Sequence, residues 1–342
     1  SYGNPTLRWE RTKTFDAGVD FVAWDGRLHG KVDVYSKHSF DLIASQSLPK
    51  AAGTASVKLN NGEVRNRGLE IEIGSTLPIN KDIIWDGTLM LSYNRNRILS
   101  LNYYPSYAYS LVYSGGSNAW MVEYDMNTLW SYKYGGIKNN GAESTPDWQP
   151  TLVGKDGAQQ TFASWPSGDA MNISYDQGTT VAPVNLGLST SLKLYDFDIS
   201  LIFTGKFGHV FRRESFNYPG ITGRSIPNSK FQQILDADPK DNLFVPLPMK
   251  DNETRLYFWN RFWGYMSYLT EPAALIRLQE ANVAYNLPKA WSNWLGISSL
   301  KIFVQANNPF SIYFNKWGED PEFPRGNVPL QSSYLLGVKC NF

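Results

Sequence analysis

The feature that most constrains the fold of this chain is a strict alternation of apolar and polar residues over long segments. In residues 27–37 most polar side chains share one parity, while Leu28, Val32 and Val34 occupy the other. Successive side chains of a β-strand point to opposite faces of the sheet, so the segment predicts a strand with one wet face and one apolar face. The same alternation recurs in residues 15–23, 69–73, 185–194, 197–207 and 334–342.

Alternation by itself is compatible with two all-β architectures. A soluble sandwich also has strands with one buried and one exposed face, and it stays open as an alternative. Several runs here hold their phase for about ten residues, however, whereas ordinary strands average about 5–6 residues. The polar face also carries full charges on strand after strand. We therefore predict an all-β fold, a transmembrane antiparallel β-barrel.

The lengths of the connections support the barrel. We predict strands at residues 13–24, 27–43, 63–79, 82–101, 181–195, 197–213, 274–287, 298–310 and 333–342. The connections between them alternate between short and long, and outer-membrane barrels have short periplasmic turns and long extracellular loops. The pair Asp25-Gly26, for example, favours a two-residue type I′ turn. Placing the C-terminus on the periplasmic side puts every short turn there, and residues 1–12 then begin at an extracellular loop.

Composition and motifs exclude several other classes of protein. With 32 basic and 31 acidic residues the formal net charge is +1, which gives no sign of a nucleic-acid partner. The single cysteine, Cys340, excludes a disulfide framework. No run approaches the ~18 consecutive apolar residues of a transmembrane helix. The sequence has no catalytic motif and no metal-ligand spacing, so we expect no enzyme activity, no catalytic residue, no cofactor and no metal ion.

A barrel of this kind needs more strands than the sequence supplies. Roughly nine antiparallel strands ending in an unpaired edge do not seal a barrel, because lipid cannot satisfy exposed backbone groups. We therefore expect residues 1–342 to form one part of a larger barrel, with the N-terminal strands outside this sequence.

Several short motifs resemble, in order along the chain, strand signatures of the SusC-like TonB-dependent transporters. They are NPTLRWE at residues 4–10, GVDF at 18–21, DVY at 33–35, DLI at 41–43, the spaced run N-x-G-x-x-x-N-x-G-x-E at 60–70, LIRL at 275–278, YNLP at 285–288, QANNPF at 305–310 and GEDPE at 318–322. The end of the chain is also similar to the C-terminal recognition signal of outer-membrane barrels, through Tyr334, Leu336, Val338 and Phe342.

The resemblance implies a function that the alternation alone does not. It implies that this chain is the C-terminal part of a plugged barrel of about 22 strands, preceded by a plug domain and the N-terminal barrel half. The activity would be import of an oligosaccharide or oligopeptide across the bacterial outer membrane, energised by TonB acting on the N-terminal part. A SusD-like surface lipoprotein would cover the extracellular mouth. A passive porin and a soluble β-rich glycan-binding module remain the alternatives.

The aromatic residues of the connection 102–180 are the first candidates for contact with a substrate or partner. Their amphipathic rings suit glycan stacking, peptide binding or an interface with a lid, although they would equally suit a small core of the loop itself. The residues are Tyr103, Tyr104, Tyr107, Tyr109, Trp120, Trp130, Trp148 and Trp165. Loops this long rarely lack a function, so we expect connections 102–180 and 214–273 to contact the lipoprotein.

Strand parity assigns further residues to faces of the barrel. The residues predicted to face the lumen are Lys31, Asp33, Glu70, Glu72, Lys206 and Lys339. Those predicted to face outer-membrane lipid are residues 28, 32, 34, 69, 71, 73, 199, 201, 203, 336 and 338. Trp24, Trp85 and Trp294 lie beside short turns, where an interfacial aromatic girdle is expected.

Overall fold

The strands of the sheet are longer than those of most soluble proteins. The computed structural model describes residues 4–47, 56–102, 104, 108, 110–114, 119–139, 141–145, 148–161, 170–213, 264–294, 296–323 and 330–341. Its strands are β1 (Arg11–Ala23), β2 (Leu28–Ser47), β3 (Ser56–Pro78), β4 (Ile83–Leu101), β5 (Thr128–Tyr132), β6 (Tyr134–Asn139), β7 (Trp148–Val153), β8 (Gln159–Thr161), β9 (Ser174–Thr179), β10 (Val184–Leu194), β11 (Phe197–Phe207), β12 (Val210–Arg212), β13 (Thr270–Pro272), β14 (Leu275–Asn286), β15 (Ser299–Tyr313) and β16 (Ser333–Asn341).

Helices are few and short in the described part of the chain. They are a π-helix at Ser110–Ser114, α1 (Ala170–Ile173), a 3₁₀-helix at Ser267–Leu269 and α2 (Lys289–Trp294). Within the described ranges no helix combines the length and apolar character needed to cross a membrane.

Nine of the strands form one antiparallel sheet in which they follow one another in chain order. The order is β1-β2-β3-β4-β10-β11-β14-β15-β16. Each predicted strand has an observed counterpart here, and the predicted all-β fold class is confirmed. The remaining strands form small sheets within the long connections, β5 with β9, β6 with β7 and β8, and β12 with β13.

The three tightest connections of the large sheet lie at one end, together with the connection that contains α2. The tightest ones are residues 24–27, 79–82 and 195–196, and α2 occupies the fourth. In the first, Arg27 donates its backbone N–H to the Trp24 carbonyl at 3.1 Å. Its two central residues, Asp25 and Gly26, both have positive φ (54° and 85°), as a type I′ turn requires. The long connections therefore all lie at the opposite end, called the loop end below.

The predicted boundary between β2 and β3 was wrong. Both strands continue past the predicted ends at 43 and 63, to Ser47 and from Ser56. The register shifts between Ser39 and Leu42, so that pairing resumes beyond a bulge. Gly62, one residue before the predicted start of this strand, lies inside β3, where an added Cβ would stand 2.3 Å from the Ser100 carbonyl oxygen. This glycine allows close approach of two backbones rather than a turn.

A second bulge lies in β14. The pairing of β14 with both of its neighbours shifts between Leu278 and Glu280, so that Gln279 is an extra residue in the strand. Arg277 pairs with Thr204, and Glu280 pairs with Ile202. As a result, residues on the two sides of the bulge face the sheet with opposite parity.

Cross-strand registers divide the large sheet into an apolar and a polar face. Directly paired residues of antiparallel strands lie on the same face. One continuous row runs through Val34, Leu69, Tyr93, Val184 and Phe207. All the residues predicted to face lipid lie on this apolar face, and many of its large side chains are exposed, for example Leu336 at 72%.

Buried side chains concentrate at the loop end rather than along the sheet. The larger cluster, formed by the long connections, contains Ala108, Leu111, Val112, Ala119, Trp130, Tyr132, Leu152, Ile173 and Met266. The smaller one joins Trp120 to the polar-face side chains of β3 and β4 and contains Ala44, Val64, Ile98 and Leu101. The connections thus form a folded layer that rests on the end of the polar face.

Candidate functional site at the loop end of the polar face

The polar face brings together the side chains predicted to face the lumen. Lys31 pairs directly with Glu72, and Asp33 pairs with Glu70. The ammonium of Lys31 also lies 3.0 Å from the Asp33 carboxylate. These four residues line a cleft of about 350 Å³. Lys206 lies on the same face three strands away from Glu70, through the pairs Glu70–Ser92, Ser92–Asn185 and Asn185–Lys206.

The residues 315–323, called the acidic loop below, are fastened to this face by a buried arginine. Arg277, whose side chain is 7% exposed, lies 2.8 Å from Asp320 and 2.7 Å from Glu322 through separate guanidinium nitrogens. Its Nε donates to Ser311 Oγ at 3.1 Å. Asp320 is equally buried, at 8% exposure, and accepts a further hydrogen bond from the Tyr313 hydroxyl at 2.9 Å. The wall of the sheet therefore supplies side-chain donors to both carboxylates, and Asp320 also accepts the backbone N–H of Glu322 at 3.0 Å.

A second arginine holds the other half of the acidic loop. Arg213 donates through Nε and NH2 to the two oxygens of Glu319, at 2.8 and 2.6 Å. Its guanidinium carbon also lies 3.9 Å from the centroid of the Trp317 ring. The Trp317 indole N–H donates to the buried carboxylate of Glu271 at 2.8 Å. Such bidentate and stacked contacts fix the geometry of the loop as well as its charge.

Electrostatics keep the loop ionised. Burial opposes the charge on Glu322, but the hydrogen bond and charge of Lys206, together with Arg277, leave the pKa of that carboxyl below its usual value. Nearby, burial and the charge of Lys206 lower the pKa of His209, which favours a neutral imidazole. At neutral pH the acidic loop is therefore negatively charged and paired with cations of the wall.

The aromatic candidates of the connection 102–180 separate into two groups. Trp130 is 2% exposed and donates its indole N–H to the Ala119 carbonyl at 3.0 Å, and Trp120 is 9% exposed. Trp130 thus lies in a core formed by the long connections themselves, whereas Trp120 packs against side chains of the sheet. Tyr104, at 55% exposure, remains accessible. Trp148 begins β7, and Tyr103, Tyr107, Tyr109 and Trp165 lie outside the described residues.

A further arginine joins this core to the sheet. Arg212 donates to the Trp130 carbonyl and, at 3.0 Å, to Ser131 Oγ. Its guanidinium lies 4.8 Å from the ring centroid of Tyr265. Burial lowers the pKa of Arg212 to about 10, so the group still carries its charge at neutral pH. Strand β12 thereby connects the large sheet to the loop layer.

Sequence reasoning missed these three arginines. Arg277 belongs to the LIRL segment, and Glu319, Asp320 and Glu322 belong to the GEDPE segment, both of which were noted for resemblance alone. The sequence offered one signal for this site: the LIRL segment carries a positive charge and the GEDPE segment carries negative charges. Nothing in the parity of β14 pointed Arg277 to the polar face, because the bulge reverses that parity.

The remaining predicted positions lie on the apolar face or beside the short turns. Tyr334, Leu336 and Val338 pair with apolar-face residues of β15, while Phe342 lies outside the described residues. Trp24 is 74% exposed beside its turn, and Trp85 donates its indole N–H to Thr190 at 2.9 Å. Within the described part of the chain no group of three or more His, Cys, Asp or Glu side chains is arranged to hold a metal ion.

Comparison with known proteins shows which proteins this sheet is similar to. Residues 1–156 match the family described as TonB dependent receptor-like, β-barrel. These are 156 of the 342 residues, and over them the chain is similar to the β-barrel of TonB-dependent receptors.

Two individual proteins are also similar to this chain. The chain is 24% identical over 361 residues to the TonB-dependent receptor SusC of Bacteroides thetaiotaomicron, covering 99% of this chain and 32% of that protein. It is 24% identical over 330 residues to TonB-dependent receptor P3 of Formosa agariphila, covering 94% of this chain and 31% of that one. The barrel is therefore SusC-like, as the motifs predicted, and none of these relatives is an enzyme by its name.

A solved structure has the same fold. The structure of the RagAB peptide transporter superposes with a TM-score of 0.73 at 20% identity, covering 100% of this chain and 36% of that one. The chain thus spans about a third of the length of the proteins it matches.

Proposed function

We propose that this chain forms the C-terminal part of a receptor that imports an oligosaccharide or oligopeptide across the outer membrane in a TonB-dependent manner. A plug domain and the N-terminal barrel half would complete the receptor. A SusD-like surface lipoprotein would cover its extracellular mouth. The chain itself would supply nine strands of the wall and part of the loop layer above the lumen.

The observation that carries the proposal is the acidic loop. A passive pore needs an open lumen, whereas residues 315–323 are folded against the polar face and held by Arg213, Arg277 and Lys206. A wall that places buried ion pairs on its inner side is built to position a fixed obstacle or a bound ligand. A fixed obstacle in the lumen and a bound ligand each favour a gated transporter over a diffusion channel.

The orientation proposed for the sheet follows from its two unequal ends. Short turns of outer-membrane barrels are periplasmic, and long loops are extracellular. The loop end would therefore face the outside, and the C-terminus would be periplasmic. In that orientation the polar face lines the lumen and the apolar face meets lipid, because the apolar face presents mainly aliphatic and aromatic side chains between the short turns and the arginines near the loop end.

The substrate class rests on the chemistry of the polar face. Its cleft combines one ammonium with three carboxylates, from Lys31, Asp33, Glu70 and Glu72, beside the side chains of Ser92 and Asn185. Such a surface offers hydrogen bonds to sugar hydroxyls and to peptide groups alike. RagAB, a structural relative, is a peptide transporter, which supports the oligopeptide as strongly as the cleft supports the oligosaccharide.

The transport proposal predicts energy-dependent uptake. Cells that express the whole receptor should accumulate labelled oligosaccharide or oligopeptide only while TonB and the proton-motive force are intact. Removing TonB should lower uptake to the level of cells that lack the receptor. Uptake that survives without TonB would identify a passive porin instead.

The lipoprotein proposal predicts a contact made by the connection between β12 and β13. Most of that connection, residues 214–263, lies outside the described residues. Its two ends are close, because Arg213 donates its backbone N–H to the Leu269 carbonyl at 2.9 Å. Replacing 214–263 by a short Gly-Ser linker should therefore keep the barrel heat-modifiable on gels while reducing co-purification of the lipoprotein.

The matched control for that deletion is the connection at the other end. Mutating the exposed turn residue Trp291, which precedes the end of α2, should leave recovery of the lipoprotein unchanged. If the linker variant recovers as much lipoprotein as the native receptor, the contact belongs to another loop.

A further inference from the structure

Four arginines form two like-charged pairs on neighbouring strands. Arg65 of β3 lies directly opposite Arg97 of β4, and Arg67 lies directly opposite Arg95. Like charges in direct cross-strand positions destabilise a sheet. Two such pairs in succession would be selected against unless something outside the sheet neutralises them.

These arginines are on the apolar face, not the polar one. Along β4 that face presents Leu89, Leu91 and Tyr93, followed by Arg95 and Arg97. The order along β3 is equivalent, from Ile73, Ile71 and Leu69 to Arg67 and Arg65. The surface therefore changes from aliphatic, through an aromatic residue, to cationic towards the loop end. This sequence of side chains matches the layers of a membrane from hydrocarbon to headgroup.

Intramolecular partners account for only part of this charge. Arg97 is paired with Glu123, and the neighbouring His38, opposite Arg65 on β2, lies 3.0 Å from Glu63. Among the residues that the structure describes, Arg65, Arg67 and Arg95 form no ion pair. Arg67 and Arg95 are also exposed to solvent.

A polar cleft lies at the same level of the sheet, but Asn66, Asn94 and Asn96 in its lining belong to the polar face. It has a volume of about 440 Å³, and Arg95 and Arg97 contribute to its lining. The other lining groups are mainly amides and carboxylates, notably those of Asn66, Asn94, Asn96, Asn127, Asp125 and Asp176. Amide and carboxylate groups hydrogen-bond sugar hydroxyls, whereas guanidinium groups bind phosphate with two parallel hydrogen bonds.

We propose that Arg65, Arg67, Arg95 and Arg97, called the arginine patch below, bind the phosphate of a phosphorylated glycolipid in the outer leaflet. The patch continues the lipid-facing surface to the height of the headgroups, where its guanidinium groups complement the charge of the phosphate. The proposal rests on the orientation given under the proposed function, in which the loop end is extracellular. The ligand would remove the repulsion between the paired arginines and so stabilise the sheet.

The test compares two double variants of the whole receptor in detergent. Arg67→Gln with Arg95→Gln removes the exposed pair of the patch. Lys193→Gln with Lys339→Gln removes the same charge from the polar face towards the opposite end of the sheet, and serves as the control. The probes are purified bisphosphorylated lipid A, its dephosphorylated form and phosphatidylglycerol, with binding measured by native mass spectrometry.

We expect the native receptor and the lysine variant to bind phosphorylated lipid A equally, and the arginine variant to bind it at least about 10-fold more weakly. Dephosphorylated lipid A should bind all three proteins with the weaker affinity. Equal binding of phosphorylated lipid A to the arginine variant would overturn the proposal. Equal or tighter binding of phosphatidylglycerol by the native receptor would overturn the glycolipid assignment and, with it, the proposed height of the patch.

A second readout needs no lipid. In lipid-free detergent the arginine variant should unfold at a higher temperature than the native receptor, because its like-charged pair is gone. Added phosphorylated lipid A should raise the transition of the native receptor and of the lysine variant more than that of the arginine variant. An arginine variant that is less stable than the native receptor would contradict the repulsion argument. Both readouts are independent of transport, so failed uptake does not affect them.

Discussion

Replacing Arg277 by alanine is expected to destabilise the acidic loop by about 3–5 kcal/mol, the usual cost of removing one partner of a buried ion pair. The change leaves Asp320, 8% exposed, and part of Glu322 without their cation. Desolvated carboxylates without a partner are costly, so the loop should leave the polar face rather than remain there unpaired. The barrel itself, which is held by backbone pairing, should still assemble.

Hydrogen exchange of residues 315–323 measures this effect. A loss of 3–5 kcal/mol corresponds to opening that is about 10²- to 4 × 10³-fold more frequent, because each 1.4 kcal/mol is a factor of ten. Replacing all three charges together, by Arg277→Met, Asp320→Asn and Glu322→Gln, should restore most of the protection, since no buried charge is then left unpaired. If Arg277→Ala leaves exchange of this segment unchanged, the acidic loop is held by other contacts.

An exposed ion pair on the same face provides the control. Lys301 and Asp198 lie 2.7 Å apart with side-chain exposures of 36% and 40%, so Lys301→Met should cost less than about 1 kcal/mol.

Lowering the pH should destabilise the acidic loop in the same direction as Arg277→Ala does. The pKa of Glu322 is lowered in the folded loop, so its contribution to stability is complete above its ordinary pKa and is lost as the pH falls through the lowered one.

Replacing Leu201 by arginine should destabilise the barrel by about 2–4 kcal/mol, the cost of a cation near the middle of a lipid-facing strand. Leu201 lies on the apolar face between Thr190 and Ala281. Those neighbours offer no counter-charge, and lipid offers no water. The measurement is the urea midpoint of the receptor refolded into lipid vesicles, at constant slope.

The adjacent residue supplies a matched comparison. Ser200 lies on the polar face, so Ser200→Arg adds the same side chain one position away and should change the midpoint far less. If the two variants are equally destabilised, the assignment of the apolar face to lipid is wrong. If Ser200→Arg alone is destabilised, the two faces are reversed.

The strands were predictable because their pattern is local. Leu69, Ile71 and Ile73 alternate with charged residues. Such alternation requires only that one face of the strand lies in an apolar environment and the other face in a polar one. The same periodicity gave the faces of β2, β3, β11 and β16 without knowledge of their partners. Register along the sheet then followed from turns such as that at Asp25-Gly26.

The rest of the structure depends on contacts that periodicity does not encode. Gly62 has the composition of a turn residue but is needed because the Ser100 carbonyl lies so close to it. Whether Trp130 binds a ligand or fills a core depends on Met266, which is distant in the sequence and packs against it. Arg277 and Asp320 attract each other only after β15 has turned back on β14.

The single extra residue in β14 determines what Arg277 can do. Ala281 and Val283, which have the same parity in the sequence, point with the aliphatic side chains, and without Gln279 as an insertion Arg277 would point with them. One residue inserted into a barrel strand therefore moves every side chain on one side of the insertion to the opposite face of the wall. The composition of the strand hardly changes. In receptors built this way, the insertion or deletion of one residue within a strand changes which side chains line the lumen in a single step. Point substitutions would have to replace many side chains to reach the same result.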